Sequence, residues 1–207
     1  NIPLTFYDDF TDIVKYNFVH TMNHMGNPDT MIIDPVLKYR VVAHTIPPVE
    51  SEVITIQPGE HTIIPLITPQ GKLKIILNTK KDYQFIVRKT GENNTINVQN
   101  INKEQNYITG LYDIELLTLP RQYFKDVRIN QNQLTKLQLP STGLANVLLP
   151  ANGYGGVYLN DGDKLEEIYK FNGESNQYKL TLLPGKYTVI YSCLLYTSDA
   201  ADERRCV

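Results

Sequence analysis

Three stretches of this chain alternate apolar and polar residues with period two, and they do so in a shared register. In the first, Tyr39, Val41, Ala43 and Thr45 fall on one face, with Arg40, Val42 and His44 on the other. The second turns Tyr112, Ile114, Leu116 and Thr118 inward and Asp113 and Glu115 outward, and the third aligns Tyr187, Val189 and Tyr191. This alternation predicts half-buried antiparallel strands, because a slip of one residue would send every side chain to the wrong face. The correspondence runs past the strands themselves. The block from Tyr39 to Pro47 returns from Tyr112 to Pro120, Ile54 and Ile56 return as Val127 and Ile129, and Ile64 and Leu66 return as Leu137 and Leu139. Gly71-Lys72-Leu73-Lys74-Ile75 returns as Gly143-Leu144-Ala145-Asn146-Val147, and Leu183-Pro184-Gly185-Lys186-Tyr187 opens a third copy.

A period of about 73 residues marks an array of similar units. With Val, Ile, Tyr and Thr frequent, we expect an all-β fold, a tandem array of small antiparallel β-sandwich modules. The cuts fall before the recurring Gly and give modules over 1–70, 71–142 and 143–192, the first missing its N-terminal strand and the last cut short. Modules of this size are small for a lone core and are expected to lean on their neighbours. Turn chemistry agrees: Pro58-Gly59 and Asn130-Gln131-Asn132 occupy corresponding hairpin positions, and Asn152-Gly153, Asp161-Gly162 and Asn172-Gly173 mark further tight turns. Helical patterning is scarce, with Lys164 to Lys170 a candidate for one short turn.

The string from Cys193 to Glu203 resembles a translated transposase adapter from short-read library preparation, so residues 193–207 are expected to be foreign to the fold. Both cysteines, Cys193 and Cys206, lie in that part, which leaves no basis for a disulfide, a thiolate nucleophile or a cysteine zinc site. A net charge of −2 argues against nucleic acid or an anionic membrane surface as the main partner. Lys72, Lys74, Lys80 and Lys81, with Arg88 and Lys89 beyond, read as solvated edges where charge discourages unwanted strand pairing. No apolar run approaches the roughly 20 residues of a membrane helix, so no direct membrane insertion is expected.

Candidate chemistry is thin. His20 and His24 stand four apart, ahead of Asp29 and Asp34; on a helix they could share a zinc ion, whereas the turn-rich Met25-Gly26-Asn27-Pro28 points to a loop of backbone-bonded histidines. His44 and His61 align with Leu117 and Leu134, so the repeat itself replaces them. Asn160-Asp161-Gly162-Asp163 is similar to part of a calcium loop but lacks its spaced ligands, and a hairpin turn accounts for it. Tyr154, Tyr158 and Tyr169 could form an aromatic platform for a sugar, or pack as core and rim residues as Tyr39, Tyr112 and Tyr187 do. No catalytic residue, metal ligand or cofactor is assigned.

Several strings in order carry a family resemblance. Tyr16 to His24 followed by Asn27-Pro28-Asp29-Thr30, Val41 to Val49, Val98 to Asn102, and Leu116 to Arg121 resemble the C-terminal region of large bacterial von Willebrand factor A (VWA) domain proteins. The Leu-x-Pro-Gly-x-Tyr strand opening also resembles carboxypeptidase-regulatory-like and PEGA-type β-sandwiches. The family's metal-dependent adhesion site uses an Asp-x-Ser-x-Ser motif that this chain does not contain, so no metal-binding residue is carried over. The resemblance implies export to the cell envelope or beyond, a partner that is either an upstream VWA domain or another envelope protein, and a role in adhesion or assembly. Three functions from different classes remain open: the non-catalytic spacer array, which is the leading expectation, a carbohydrate-binding module using exposed tyrosines, and a metal-dependent enzyme using His20 and His24.

Overall fold

The computed structural model describes residues 2–22, 25–26 and 30–193, and the chain is all-β. Module 1 contains β1 (Ile2–Asp8), β2 (Val14–His20), β3 (Lys38–Ala43), β4 (Val49–Glu50) and β5 (Ile54–Thr55). These make one sheet in the order β2-β1-β3-β4, with β5 also on β3. Leu4, Phe6, Tyr39 and Val41 form its inner face, and Met31, Ile33, Ile64 and Leu66 from irregular segments pack against it. The apolar alternation of β3 thus finds a cover that is not itself a strand.

Module 2 is a two-sheet sandwich. Its strands are β6 (Gln70–Ile76), β7 (Gln84–Lys89), β8 (Thr95–Asn100), β9 (Gln105–Ile108), β10 (Gly110–Leu116), β11 (Gln122–Ile129) and β12 (Leu134–Gln138). One sheet runs β11-β10-β7-β8 and the other β12-β6-β9. Their inner faces share one core, in which Leu73, Ile75, Phe85, Val87, Tyr107, Tyr112, Ile114 and Leu116 are fully enclosed. Each such side chain contributes roughly 1.5–3 kcal/mol by leaving water. All pairings are antiparallel except β12 on β6, which is parallel. A parallel pair needs a long connection, and here the connection is the body of the module. β12 therefore closes the sandwich beside its own first strand.

Module 3 repeats this plan with β13 (Gly143–Leu148), β14 (Gly153–Asn160), β15 (Leu165–Asn172), β16 (Gln177–Leu182) and β17 (Tyr187–Cys193), in sheets β13-β16 and β15-β14-β17. β13 to β17 correspond to β6 to β10 in order and pairing. Among the described residues nothing in module 3 corresponds to β11 and β12, and the effect is measurable: Ile114 is 2% exposed, whereas its counterpart Val189 is 45% exposed. Of the segment Lys164 to Lys170, expected as a short helical turn, Leu165 to Lys170 lie in strand β15. Its pairing with β14 slips between Val157 and Tyr158, so an extra residue at Ile168 disturbs the alternation that would have marked it as a strand.

Each module fastens one tyrosine in the same way. The hydroxyls of Tyr39, Tyr112 and Tyr187 donate back to the carbonyls of Asp34, Ile108 and Leu183 at 2.8, 2.7 and 2.5 Å. This is the corner by which sandwich folds tie a strand to the loop before it. Burial, with Tyr107 adding to it, pushes the Tyr112 phenol up to about 12, so the hydroxyl remains a donor at any ordinary pH. The recurring glycine, by contrast, has a local cause in one copy. A Cβ on Gly71 would run into the Asn130 carbonyl and the Ile129 side chain, whereas one on Gly143 would meet nothing within 4 Å.

Candidate functional site

The three candidate tyrosines do not share a face. Tyr154 and Tyr158 stand on the outer face of β14, while Tyr169 pairs opposite Val157 and turns into the core. There its ring meets those of Phe171 and Tyr178 at 6.2 and 5.9 Å. The two outer rings lie over glycines: Tyr154 on Gly173, and Tyr158 on Gly156, with the Tyr158 hydroxyl donating to Glu167 at 3.0 Å. Filling glycine-sized hollows on a strand surface is a packing role.

His20 ends β2, and Asp34 uses a carboxylate oxygen to accept the Val36 N–H at 2.9 Å; His24 and Asp29 lie outside the described residues, as do 194–207 with Cys206. Among the described residues no three His, Cys, Asp or Glu side chains gather as a metal set would require. The Asn160 side chain accepts the Gly162 N–H at 3.0 Å, forming the turn between β14 and β15. Of the basic residues, Lys72 and Lys74 both hold Glu104 at 3.4 Å, Lys81 lies over the Tyr83 ring, and Arg88 pairs with Glu115 at 3.0 Å.

What the fold builds twice is the joint between modules. At the end of β3 the chain reads Thr45-Ile46-Pro47, and at the end of β10 it reads Thr118-Leu119-Pro120, with the Ile46–Pro47 and Leu119–Pro120 peptides both cis. In each loop the threonine hydroxyl donates across the turn, Thr45 to the Pro47 carbonyl at 2.6 Å and Thr118 to the Pro120 carbonyl at 2.8 Å. The turn aims the middle residue outward. Ile46 packs against the core of module 2, and Leu119 packs against the core of module 3. Each plug also accepts a backbone hydrogen bond from the residue at the next module's tyrosine corner. Ile108 donates to Ile46 O at 2.7 Å, and Leu183 donates to Leu119 O at 2.8 Å. These residues stand in the repeated block, and the recurrence of Thr-x-Pro was their only sequence signal; nothing local indicates that the middle side chain leaves its own module.

Beside the plug the joints diverge. The N–H of His44 donates to Pro3 O and that of Leu117 to Gln84 O, so Ile2 and Tyr83, one residue earlier, occupy matching places. Tyr83 is 5% exposed, and its hydroxyl donates to Thr181 O of module 3 at 3.2 Å. Ile2 cannot reach across. The first joint keeps a cleft of about 770 Å³, lined by Ile2, Pro3, His44, Gln70, Asn106 and Gln133 among others. The second joint has two more ties. Leu183 packs into the core of module 2, and Arg121, next after Pro120, donates to Glu115 at 2.6 Å. Glu115 points outward yet is buried. Burial alone would raise its carboxyl, but hydrogen bonds from Arg121 and Arg88 outweigh it and hold the group below the usual range. Module 1 has Val42 and Pro48 at these two positions.

Fold and joints together define a class: a tandem array of tyrosine-cornered β modules linked head to tail, a single covered sheet followed by two two-sheet units. No protein-family model matches the chain, and no curated protein or solved structure matches it.

Proposed function

We propose that this chain is a non-catalytic structural and interaction region, a run of modules that spaces or supports a working domain of an exported VWA-type cell-envelope protein in adhesion or assembly. The observation that supports this reading most is the repeated joint. The feature these modules build with matching atoms is their attachment to one another, through Thr-x-Pro, the apolar plug and the corner hydrogen bond. In arrays of this kind stability comes from nearest-neighbour interfaces, and the product is a fixed spacing. The partner in this reading is an upstream VWA domain or another envelope protein, the location is the envelope or outside the cell, and no cofactor, nucleic acid or bilayer insertion enters it.

Two measurements test it. Small-angle scattering of the full chain should give a particle whose maximum dimension stays constant over a dilution series and shifts on Leu119→Ala; equal dimensions for both proteins would overturn the spacing role. Long-read sequencing of the source locus should find an export signal and an Asp-x-Ser-x-Ser domain in the same frame upstream. A frame with neither would remove the envelope assignment.

A further inference from the structure

The cleft at the first joint contains an unpaired strand edge. Antiparallel ladders alternate hydrogen-bonded pairs with pairs whose N–H and C=O point outward. The N–H of Ile108 points away from β6, since it donates to Ile46 O at 2.7 Å. Ile108 is partnered with Gln70, and two residues earlier Asn106 is partnered with Lys72. Asn106 therefore turns its backbone N–H and C=O the same way as Ile108, toward the cleft that it lines. β6 agrees with this parity, because Gln70 O and Lys72 N–H are both bonded on its other side, to Asn132 and Gln133.

The second joint closes the corresponding edge. Thr181 holds the place of Asn106, partnered with Leu144 as Asn106 is with Lys72, and its carbonyl receives the Tyr83 hydroxyl. Open strand edges are commonly blunted in this manner. At the first joint Ile2 replaces Tyr83 and brings no hydroxyl, and among the described residues no group hydrogen-bonds the outward N–H or C=O of Asn106. The lining mixes Ile2, Pro3, Ile46 and Leu134 with polar residues, and its Lys72 and Glu104 charges pair with each other. Glu104 is matched by Lys72 and Lys74, the His44 ring is bonded to Thr5 at 2.7 Å, and Gln70, Gln105, Asn106 and Asn132 present side-chain amides to the space. A volume of about 770 Å³ lies in the range of ligand clefts.

We propose that this cleft is a strand-addition site for an extended, uncharged peptide segment, which continues along β9 from Ile108 to Asn106 the ladder that Ile46 begins. Backbone hydrogen bonds supply the affinity in this mode, and alternate side chains supply the selectivity. Ser, Thr and Asn side chains suit the amide lining, since each offers both donors and acceptors to it. The site does not depend on the envelope reading: a spacer in any location would gain a docking point at this joint.

The test uses the full chain, isotope-labelled for amide NMR, with the capped pentapeptide acetyl-Thr-Asn-Thr-Asn-Thr-amide as probe. At a peptide concentration about ten times its Kd, exchange of the Asn106 amide should slow about tenfold. The same peptide with alternate amides N-methylated should do nothing, because it cannot complete the ladder. Ile2→Tyr, which copies the second joint, should abolish the effect; if that variant fails to fold, the N-methylated peptide carries the control. Asn106→Ala keeps the backbone and should retain the effect. An Asn106 amide that ignores millimolar peptide would overturn the proposal, as would protection that survives Ile2→Tyr. Protection by maltotriose in place of the peptide would also overturn it and assign the cleft to hydroxyl-rich ligands.

Discussion

The two joints are made from the same motif and differ in how tightly they close. Both use a threonine-braced turn to push one apolar side chain into the next module, and both complete it with a corner N–H. The second joint gains three further contacts: Leu183 enters the core of module 2, Tyr83 reaches Thr181, and Arg121 clamps the loop through Glu115. The first joint has none of these three additions, and a cleft remains. A repeat can thus preserve the residues that aim a connection while varying those that fill the space beside it. The motif sets where modules meet, and the flanking residues decide whether anything else can enter.

The largest effect should come from removing the better-seated plug. Leu119→Ala is expected to cost about 3 kcal/mol and to let module 3 unfold ahead of module 2, splitting one calorimetric transition into two. Ile46→Ala, lacking reciprocal packing, should cost about half as much; an equal loss would show the joints to be energetically alike. Next comes the recurring glycine. Gly71→Ala must displace the Asn130 carbonyl and should lose about 2 kcal/mol in urea titration followed by tyrosine fluorescence, whereas Gly143→Ala should change little.

Acid should loosen the second joint through Glu115. The Glu115 carboxyl is lowered in the folded protein, so its contribution is complete above the ordinary carboxylate range and fades as pH falls through the lowered pKa. Glu115→Gln should therefore cost about 2 kcal/mol at pH 7 and flatten the acid limb of stability against pH. An acid limb identical to that of the parent would mean that the Arg121–Glu115–Arg88 cluster is not what titrates. The smallest change is Tyr83→Phe, which keeps the packing and loses one hydrogen bond, worth about 1 kcal/mol. Its sharper readout is hydrogen exchange, with faster opening confined to the second joint.

Much of the fold could be read from alternation, and the exceptions have local causes. Tyr39, Tyr112 and Tyr187 were placed inward by period two, and each became a corner. Glu115 was placed outward correctly, yet it is buried, because Arg121 from the following loop and Arg88 from the neighbouring strand cover it. β15 escaped notice because the extra residue at Ile168 breaks the period that identifies strands. Tyr169 looked equivalent to Tyr154 and Tyr158, but the same slip carries it to the core face. For the candidate site, sequence offered Thr-x-Pro as a recurring string and no indication that its middle residue serves the neighbour.

The sequence alone determined the all-β class, the repeat and the strand faces, because those follow from side-chain periodicity along a single strand. Tertiary structure alone decided which edges are sealed. Ile2 and Asn106 at one joint, and Tyr83 and Thr181 at the other, lie far apart in sequence and become neighbours only when modules dock. Whether a carbonyl receives a hydroxyl or faces an open cleft is a property of that encounter, and no local pattern in the chain encodes it.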